Sequence, residues 1–179
     1  EKFQDRLADE ISALKTGDPS LPETDVGPLI LPREVDRVEE WVQEAVSMGG
    51  SLALGGQRIS DTCYQPTLLR DTPTNAKISQ LEVFGPVVCL KSCDDIESAI
   101  QNANALPVAF QASVFTQDID RAMGAAKRLN ASAVMINDHT AFRVDWMPFA
   151  GRKTSGLGIG GIPYTMEDMT QEKMAVIRL

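Results

Sequence analysis

Near the middle of the chain stands Glu82-Val83-Phe84-Gly85-Pro86, followed directly by the apolar run Val87-Val88-Cys89-Leu90. The Gly-Pro pair predicts a turn, and the β-branched residues after it predict a strand over Val87–Lys91. Glu82 lies two residues before the aromatic Phe84, so a carboxylate that can accept hydrogen bonds from a diol stands near a ring. On chemistry alone the simpler interpretation is preferred: an exposed glutamate and a core phenylalanine in front of a turn.

Outward from this run, the apolar spacing alternates between the period of a strand and that of a helix. It predicts helices at Phe3–Leu14, Val35–Val46, Ile96–Ala103 and Asp118–Leu129, and strands at Ser51–Leu54, Thr67–Arg70, Ala112–Thr116 and Ala133–Asn137. Asp94, with Glu97 three residues later, predicts an N-cap. Alternating strands and helices favour an α/β layered domain with a mainly parallel sheet. The last residues, Lys173–Leu179, predict a terminal strand.

The composition is that of an ordinary folded protein. The 179 residues are 43% hydrophobic and 23% charged, which suffices for one sizeable core. The net charge of -8, with scattered Lys and Arg, argues against nucleic acid and acidic membranes as partners. No apolar run is long enough to span a bilayer, and the first residues do not resemble a signal peptide. Three cysteines and one histidine fit a reducing cytoplasm and argue against a metal site.

None of the three cysteines is interpreted as a nucleophile. Cys89 falls in a predicted strand and is expected in the core, and Cys63 falls in a turn. Cys93 stands beside two aspartates, whose charges would raise a thiol pKa. The run Gly156–Gly161 satisfies the pattern GxGxxG but shows no strand before it and no helix after it, so a closely packed glycine loop is the favoured interpretation.

Two residues beyond the last inner strand are candidates for ligand binding. His139 and Arg143 lie in the loop after Asn137, and ligands of α/β sheets bind beyond the carboxyl ends of the strands. The guanidinium of Arg143 could clamp a carboxylate or a phosphonate. A surface arginine and a loop histidine that only position the backbone are an equally good interpretation.

Several segments, in the same order and spacing, resemble landmarks of the aldehyde dehydrogenase superfamily over nearly the whole chain. Leu81–Val87 resembles the family's E-[IV]-F-G-P-[VI] motif, Pro148–Gly158 its P-[FY]-G-G-x-K-x-S-G-x-G motif, and Cys63–Leu69 its Pro-Thr stretch. Ala150, where the family usually has glycine, is a mild departure. The loop Asn137–Pro148 is most similar to the branch of lactaldehyde and phosphonoacetaldehyde dehydrogenases.

The resemblance implies a three-layer aldehyde dehydrogenase catalytic-domain fold. Residues 1–167 would form the C-terminal part of that domain, and residues 168–179 a strand that joins subunits into a homodimer or homotetramer. Glu82 would hold the nicotinamide-ribose hydroxyls of NAD or NADP, and Phe84 would lie beside the nicotinamide. A small-molecule aldehyde substrate would face Asn137, His139, Arg143 and Phe149.

In the family, the nucleophilic cysteine and the general-base glutamate both precede the motif that contains Glu82, and no residue here matches either. The resemblance therefore implies a fragment of an NAD(P)-dependent aldehyde dehydrogenase that oxidises an aldehyde to a carboxylic acid but is inactive by itself. Two alternatives stay open. One is a non-catalytic truncated module that only oligomerises, and the other is a CoA-acylating semialdehyde dehydrogenase. The expected location is the cytoplasm.

Overall fold

Two amphipathic helices begin the chain, α1 over Lys2–Ala13 and α2 over Pro32–Ser47. Proline is tolerated at the start of α2 because the first main-chain N–H groups of a helix have no partner inside the helix. The predicted helical periods are confirmed at both positions. In α2 the fully buried or nearly buried side chains recur every three or four residues, namely Val35, Val38, Trp41, Val42 and Ala45. The computed structural model describes residues 2–179.

A three-stranded sheet follows, formed by β1 (Ser51–Leu54), β2 (Thr67–Arg70) and β3 (Val87–Leu90) in that order. The central strand β2 pairs antiparallel with β1 and parallel with β3. A short helix, α3 (Lys77–Gln80), lies between β2 and β3 in the sequence. Leu68 and Leu69 of the central strand are fully buried, as expected for a strand covered on both faces.

The core of this part of the molecule lies where α2 packs on β2 and α3. Its buried cluster comprises Val35, Val38, Trp41, Val42, Ala45, Tyr64, Leu69, Ala76 and Ile78. Val83 and Val87, on either side of the Gly-Pro turn, pack against the same cluster. The turn singled out in the sequence is therefore attached to the core on both flanks.

The remaining elements belong to a second compact unit, which runs from Cys93 to Leu179, whereas the first ends at Ser92. They are α4 (Ile96–Ala103), β4 (Val108–Ala109), β5 (Gln111–Val114), α5 (Ile119–Arg128), β6 (Ala133–Ile136), β7 (Arg152–Lys153) and α6 (Ile162–Asp168). Strands β5 and β6 pair in parallel, and α5 contacts both. Strands β4 and β7 form a short antiparallel pair. None of the helices in residues 2–179 is long and apolar enough to cross a membrane.

The α/β class is confirmed, and two pairs of neighbouring strands, β2 with β3 and β5 with β6, are parallel as predicted. Two features of the predicted sheet are corrected. The strands lie in three small sheets rather than in one. The terminal strand predicted over Lys173–Leu179 is not formed in the single chain, because residues 171–179 pair with no strand among the described residues. A strand needs a partner for its main-chain hydrogen bonds, and a local sequence pattern does not supply one. The division at residues 167 and 168 stays a prediction.

Two local predictions differ from the structure: the cap of α4 lies one residue later, and Cys89 is not in the core. The N-cap of α4 is Asp95 rather than Asp94, and its carboxylate accepts a hydrogen bond from the main-chain N–H of Ser98. Cys89, expected in the core, is exposed because β3 is an edge strand of its sheet. Alternation of apolar residues does not reveal which strand lies at an edge, so the sequence could not separate these two environments.

Candidate functional site

The Gly-Pro turn between α3 and β3 carries Phe84 in an unusual backbone conformation. Phe84 has a φ of 45°, in the left-handed region that few non-glycine residues occupy, and its side chain is 75% exposed. Glu82 is also exposed, and no hydrogen-bond partner to its carboxylate is found among residues 2–179. The expected core phenylalanine is thus an uncovered ring. A carboxylate and an aromatic ring both stand free at this turn.

Close packing against α2 holds the turn in place. A Cβ atom built on Gly85 would lie 2.8 Å from Cγ2 of Val38, so only glycine fits unless the Val38 side chain, the helix or the turn moves. Arg37, the preceding residue of α2, donates a hydrogen bond from Nη2 to the main-chain oxygen of Val83 at 2.6 Å. The turn is therefore fixed to α2 on one side through a van der Waals contact and on the other through a hydrogen bond.

Arg37 is itself held by two neighbours on the same helix. Its Nε donates to the carboxylate of Glu34 at 2.8 Å, and its guanidinium lies 4.5 Å from the centre of the Trp41 ring. The hydrogen bond from Arg37 is the main cause that lowers the pKa of the Glu34 carboxyl. Spacings of three and four residues place these side chains on one face of α2, which explains why they meet.

The turn and α2 together border an open groove of about 940 Å³ in the first unit. Its polar side chains are three carboxylates and one guanidinium, those of Asp25, Glu34, Glu82 and Arg37. Apolar walls come from the loop Val26–Ile30, from Trp41 and from Phe84. A mostly apolar groove with a few fixed polar groups is the usual form of a cofactor or small-molecule site. The structure therefore brings both predicted cofactor-contacting residues, Glu82 and Phe84, to one groove.

The four predicted substrate-side residues all lie in the second unit. Asn137, directly after β6, has a φ of 57°. Its side-chain oxygen accepts a hydrogen bond from the main-chain N–H of Thr116 at 2.8 Å, and its Nδ2 donates to the carbonyl of Thr116 at 2.9 Å. The amide is thus occupied in joining the loops that follow β5 and β6. His139 is exposed, with its Nε2 3.8 Å from the carboxylate of Asp138.

Arg143 and Phe149 are brought into direct contact. The guanidinium of Arg143 lies 4.2 Å from the centre of the Phe149 ring, which in turn meets the edge of Phe110 at a centroid distance of 5.0 Å. Arg143 also borders a second groove, of about 520 Å³, together with Asp145 and residues of α6. A guanidinium held by stacking keeps its N–H groups available for a planar anion.

The glycine-rich stretch that begins at Gly151 is anchored by its polar residues. Lys153 donates from Nζ to the carbonyls of Asn104 and Leu106, each at 2.6 Å, just beyond the end of α4. The next two residues add hydrogen bonds to the same loop, from Thr154 to Pro107 and from Ala109 to Ser155. The cation and hydroxyls of this stretch are therefore engaged with the chain itself.

The expectation that no helix follows Gly156–Gly161 was wrong. Helix α6 begins at Ile162, and its proline stands in the first turn, where it is tolerated. The strand before the glycines, β7, has two residues and pairs antiparallel with β4. A dinucleotide fingerprint needs a parallel βαβ unit, so the geometry argues against phosphate binding here. The loop is not the closely packed one expected, because residues 156–159 are exposed.

The cysteines lack the surroundings of a reactive thiol. Cys89 is exposed as a whole residue, but partial burial of its sulfur raises the pKa of the thiol, and a hydrogen bond with Thr72 only partly offsets this rise. Cys93 accepts a weak hydrogen bond from Asn102 at 3.6 Å, and Cys63 is half-buried. Among residues 2–179, no group of three or more His, Cys, Asp or Glu side chains is placed to hold a metal ion.

Comparison with known proteins agrees with the resemblance read from the motifs. Residues 1–175 match the model of the aldehyde dehydrogenase family. The chain belongs to the aldehyde dehydrogenase family. Over 177 residues it is 40% identical to the 3-sulfolactaldehyde dehydrogenase of Priestia aryabhattai and 40% identical to the lactaldehyde dehydrogenase of Methanococcus maripaludis. These matches cover 99% of this chain but only 37% and 38% of those relatives.

Solved structures of aldehyde dehydrogenases confirm the fold. The chain is similar to aldehyde dehydrogenase 21 from Physcomitrella patens, in complex with the product succinate, with a TM-score of 0.94 and 34% identity over 99% of this chain and 37% of that one. It is also similar to the glyceraldehyde-3-phosphate dehydrogenase from Methanocaldococcus jannaschii complexed with NADP, with a TM-score of 0.88 and 36% identity. That second match covers 94% of this chain and 36% of the other.

The sequence of this aldehyde dehydrogenase chain did not reveal that helix α2 holds the Gly-Pro turn in place. The apolar spacing predicted a helix over Val35–Val46 but gave Arg37 no role. The available signal was the spacing of Glu34, Arg37 and Trp41 by three and four residues, which predicts contact on one helix face. The hydrogen bond to Val83 joins residues 46 apart, and nothing local in the sequence indicates it.

Proposed function

We propose that this chain forms the cofactor-contacting side of an NAD(P)-dependent aldehyde dehydrogenase that oxidises an aldehyde to a carboxylic acid. The observation that supports the proposal is the groove in which Glu82 and Phe84 both stand exposed beside α2. The family match and the relatives' names support oxidation of an aldehyde as the reaction.

The side chains of the groove fit a nicotinamide riboside. The unpaired carboxylate of Glu82 can accept two hydrogen bonds, which is what a ribose diol offers. The uncovered ring of Phe84 presents an apolar face of the kind that a nicotinamide ring needs beside it. A bound NAD or NADP would accept the hydride that the aldehyde loses. The NADP complex of the related glyceraldehyde-3-phosphate dehydrogenase supports the choice of this class of cofactor.

On the substrate side, we propose that Arg143 faces an aldehyde that carries an anionic or hydroxylated group. Its guanidinium stands over Phe149, and both side chains are more than one third exposed. Phe149 would limit the width of the substrate mouth. Asn137 would act by placing the loop that carries His139 and Arg143, because its amide is bonded to Thr116. The names of the sulfolactaldehyde and lactaldehyde relatives agree with a short polar aldehyde.

The nucleophile and the general base of the proposed reaction are not among these residues. An activated cysteine needs a lowered pKa and access to substrate. Of the three cysteines, one has a raised pKa, one is half-buried, and one is bonded to a neighbouring asparagine. We therefore expect the chain to show no turnover without the residues that supply the thiolate and the base.

Replacing the Glu82 carboxylate tests the proposal. A hydrogen bond to a charged group contributes about 1.5–3 kcal/mol, so Glu82→Gln in the full-length enzyme should lower kcat/KM for the cofactor by about tenfold or more. The KM for the aldehyde should change little. Glu10→Gln is the matched control, because Glu10 is an exposed glutamate of α1 that does not border the groove. Steady-state kinetics with NAD and NADP provide the measurement, and unchanged cofactor kinetics in Glu82→Gln would rule out the assigned role.

A further inference from the structure

We propose that Arg37 is a positioning residue that holds Glu82 and Phe84 in place, acting through the main chain between them. The inference rests on the proposed role of those two residues at the cofactor groove. Arg37 donates to the carbonyl of Val83, the single residue that separates them in the sequence. It contacts neither of their side chains through a hydrogen bond or ion pair in the structure.

The turn needs contacts from outside because it lacks the regular main-chain hydrogen bonds of a helix or strand. Residues 82–86 lie between the end of α3 and the start of β3, without regular secondary structure. A left-handed conformation costs a residue such as Phe84 about 1–2 kcal/mol, and it persists only where the surroundings enforce it. The hydrogen bond from Arg37 fixes the peptide immediately before Phe84. It therefore acts on the orientation of the Phe84 ring and of the Glu82 side chain together.

Arg37 is well suited to this task because its own position is fixed. One edge of the guanidinium bonds Glu34, one N–H group bonds Val83, and one face lies on the ring of Trp41. Trp41 is buried in the core cluster and gives the stack a rigid base. A lysine ammonium could make the bond to Val83 but could not lie flat on the indole while bonding a carboxylate sideways. The three contacts together specify arginine at this position.

The rival explanation is a direct contact between Arg37 and an anionic part of the cofactor, since Arg37 also borders the groove. The two explanations predict different coupling with Glu82. A residue that acts through the turn loses the part of its effect that runs through Glu82 once that carboxylate is gone, and keeps only the smaller part that runs through Phe84. A residue that binds the cofactor independently keeps its full effect, because independent contributions to the free energy add.

The experiment is a double-mutant cycle in the full-length enzyme with Arg37→Met and Glu82→Gln. Arg37→Met keeps the apolar stem but removes the donors, and it should lower kcat/KM for the cofactor about tenfold with little change in the aldehyde KM. In the Glu82→Gln background, the same change should cost less than threefold. Arg37→Lys retains a charged donor group without the planar guanidinium, and its cofactor kinetics should fall between those of the parent and of Arg37→Met.

Arg33→Met is the matched control, because Arg33 lies one turn earlier on α2 and its side chain is 77% exposed. Thermal unfolding of each variant shows that the kinetics are measured on folded protein. Equal cofactor kinetics for Arg37→Met and Arg33→Met, or full additivity with Glu82→Gln, would overturn the inference. An inert Glu82→Gln would instead refute the proposed function itself. If Arg37→Met does not fold, Arg37→Lys takes its place in the cycle: full additivity with Glu82→Gln would overturn the positioning role, and wild-type cofactor kinetics would overturn the requirement for the stacked guanidinium.

Discussion

Backbone strain occurs at a few non-glycine residues of this chain. Four non-glycine residues among those described have a positive φ, namely Asp71, Phe84, Asn137 and Lys153. The last three fall in the segments that resemble family landmarks. Local strain persists only where the surroundings compensate it, and it concentrates at functional positions. At Phe84 the compensation comes from α2, and at Asn137 it comes from the two hydrogen bonds to Thr116.

At the residue scale, the contact between Gly85 and α2 can be tested by adding one methyl group. Gly85→Ala should destabilise the protein by about 1–3 kcal/mol, because the new Cβ would meet the fully buried Val38 at 2.8 Å. The control is Gly124→Ala in α5, where nothing lies within 4 Å of the added atom. That change should be neutral or stabilise by up to about 1 kcal/mol. Chemical unfolding gives both values, and a Gly85→Ala protein as stable as the parent would contradict the described packing.

Some residues of the candidate site could be predicted from the sequence, and others could not. Glu82 and Phe84 look ordinary as chemistry, and the order of several landmarks along the chain singled them out. The exposure of Phe84 could not be foreseen, because an isolated aromatic before a turn is more often buried. Arg37 could not be linked to either residue, because its decisive bond reaches the main chain, which carries no sequence signal at that distance.

At the element scale, long amphipathic helices were predictable and short ones were not. The periods of α1, α2, α4 and α5 are visible because each helix presents several turns to the core. Helix α3 has four residues and α6 has seven, too few for the period to stand out. Helix boundaries depend on a single side chain, and adjacent aspartates at Asp94 and Asp95 made the cap of α4 ambiguous by one residue.

The cap of α4 gives a pH-dependent prediction. Hydrogen bonds from Ser98, first from its main-chain N–H and then from its hydroxyl, lower the pKa of the Asp95 carboxyl below its usual value. A carboxyl with a lowered pKa stabilises the folded state above its unfolded pKa of about 3.9, and this contribution is lost as the pH falls through the folded value. Asp95→Asn keeps a capping oxygen but cannot titrate. The stability difference between the parent and Asp95→Asn should therefore be largest at neutral pH and shrink below about pH 4.

Asp94→Asn is the control for the same measurement, because Asp94 makes no capping hydrogen bond among the described residues. Urea unfolding at several pH values between neutral and acidic conditions provides the comparison. If Asp94→Asn reproduces the pH dependence expected of Asp95→Asn, the cap has been assigned to the wrong aspartate.

At the scale of the whole molecule, the terminal segment Lys173–Leu179 exposes apolar side chains that no other part of the described chain covers. Its apolar side chains are almost fully exposed, with Met174, Val176 and Ile177 each more than 80% accessible. A continuous run of exposed apolar residues, Met174–Ile177, fits a strand that lacks a partner. We expect this segment to pair with another subunit, which would explain why the predicted strand is absent from the isolated chain.

Removal of residues 173–179 tests this expectation. The shortened protein should form a smaller assembly than the parent, as measured by light scattering after size-exclusion chromatography, because the main-chain edge and its apolar side chains are lost together. Val176→Asp is a milder version that keeps the length and places a charge on the proposed contact. Lys173→Gln leaves the apolar side chains intact and serves as control. An unchanged mass for both the deletion and Val176→Asp would show that the segment does not join subunits.

The division of strands among sheets marks a further limit of local patterns. The sequence located five of the seven strands and missed the two-residue strands β4 and β7, and it could not say which strands pair. Pairing is decided by contacts between distant residues, such as β2 with β3 and β5 with β6. The similarity to solved aldehyde dehydrogenases, with a TM-score of 0.94 in one case, shows that these pairings are those of the family fold.

The two hydrogen bonds of Lys153 have a consequence for chemical modification of the protein. Its amine is engaged with the carbonyls of Asn104 and Leu106, and acetylation would remove the charge and leave a single N–H for the two oxygens. The link between the end of α4 and the strand β7 would then be weakened. We expect Lys153 to react more slowly with acylating reagents than the freely exposed lysines, and its acylation to loosen the glycine-rich stretch that begins at Gly151.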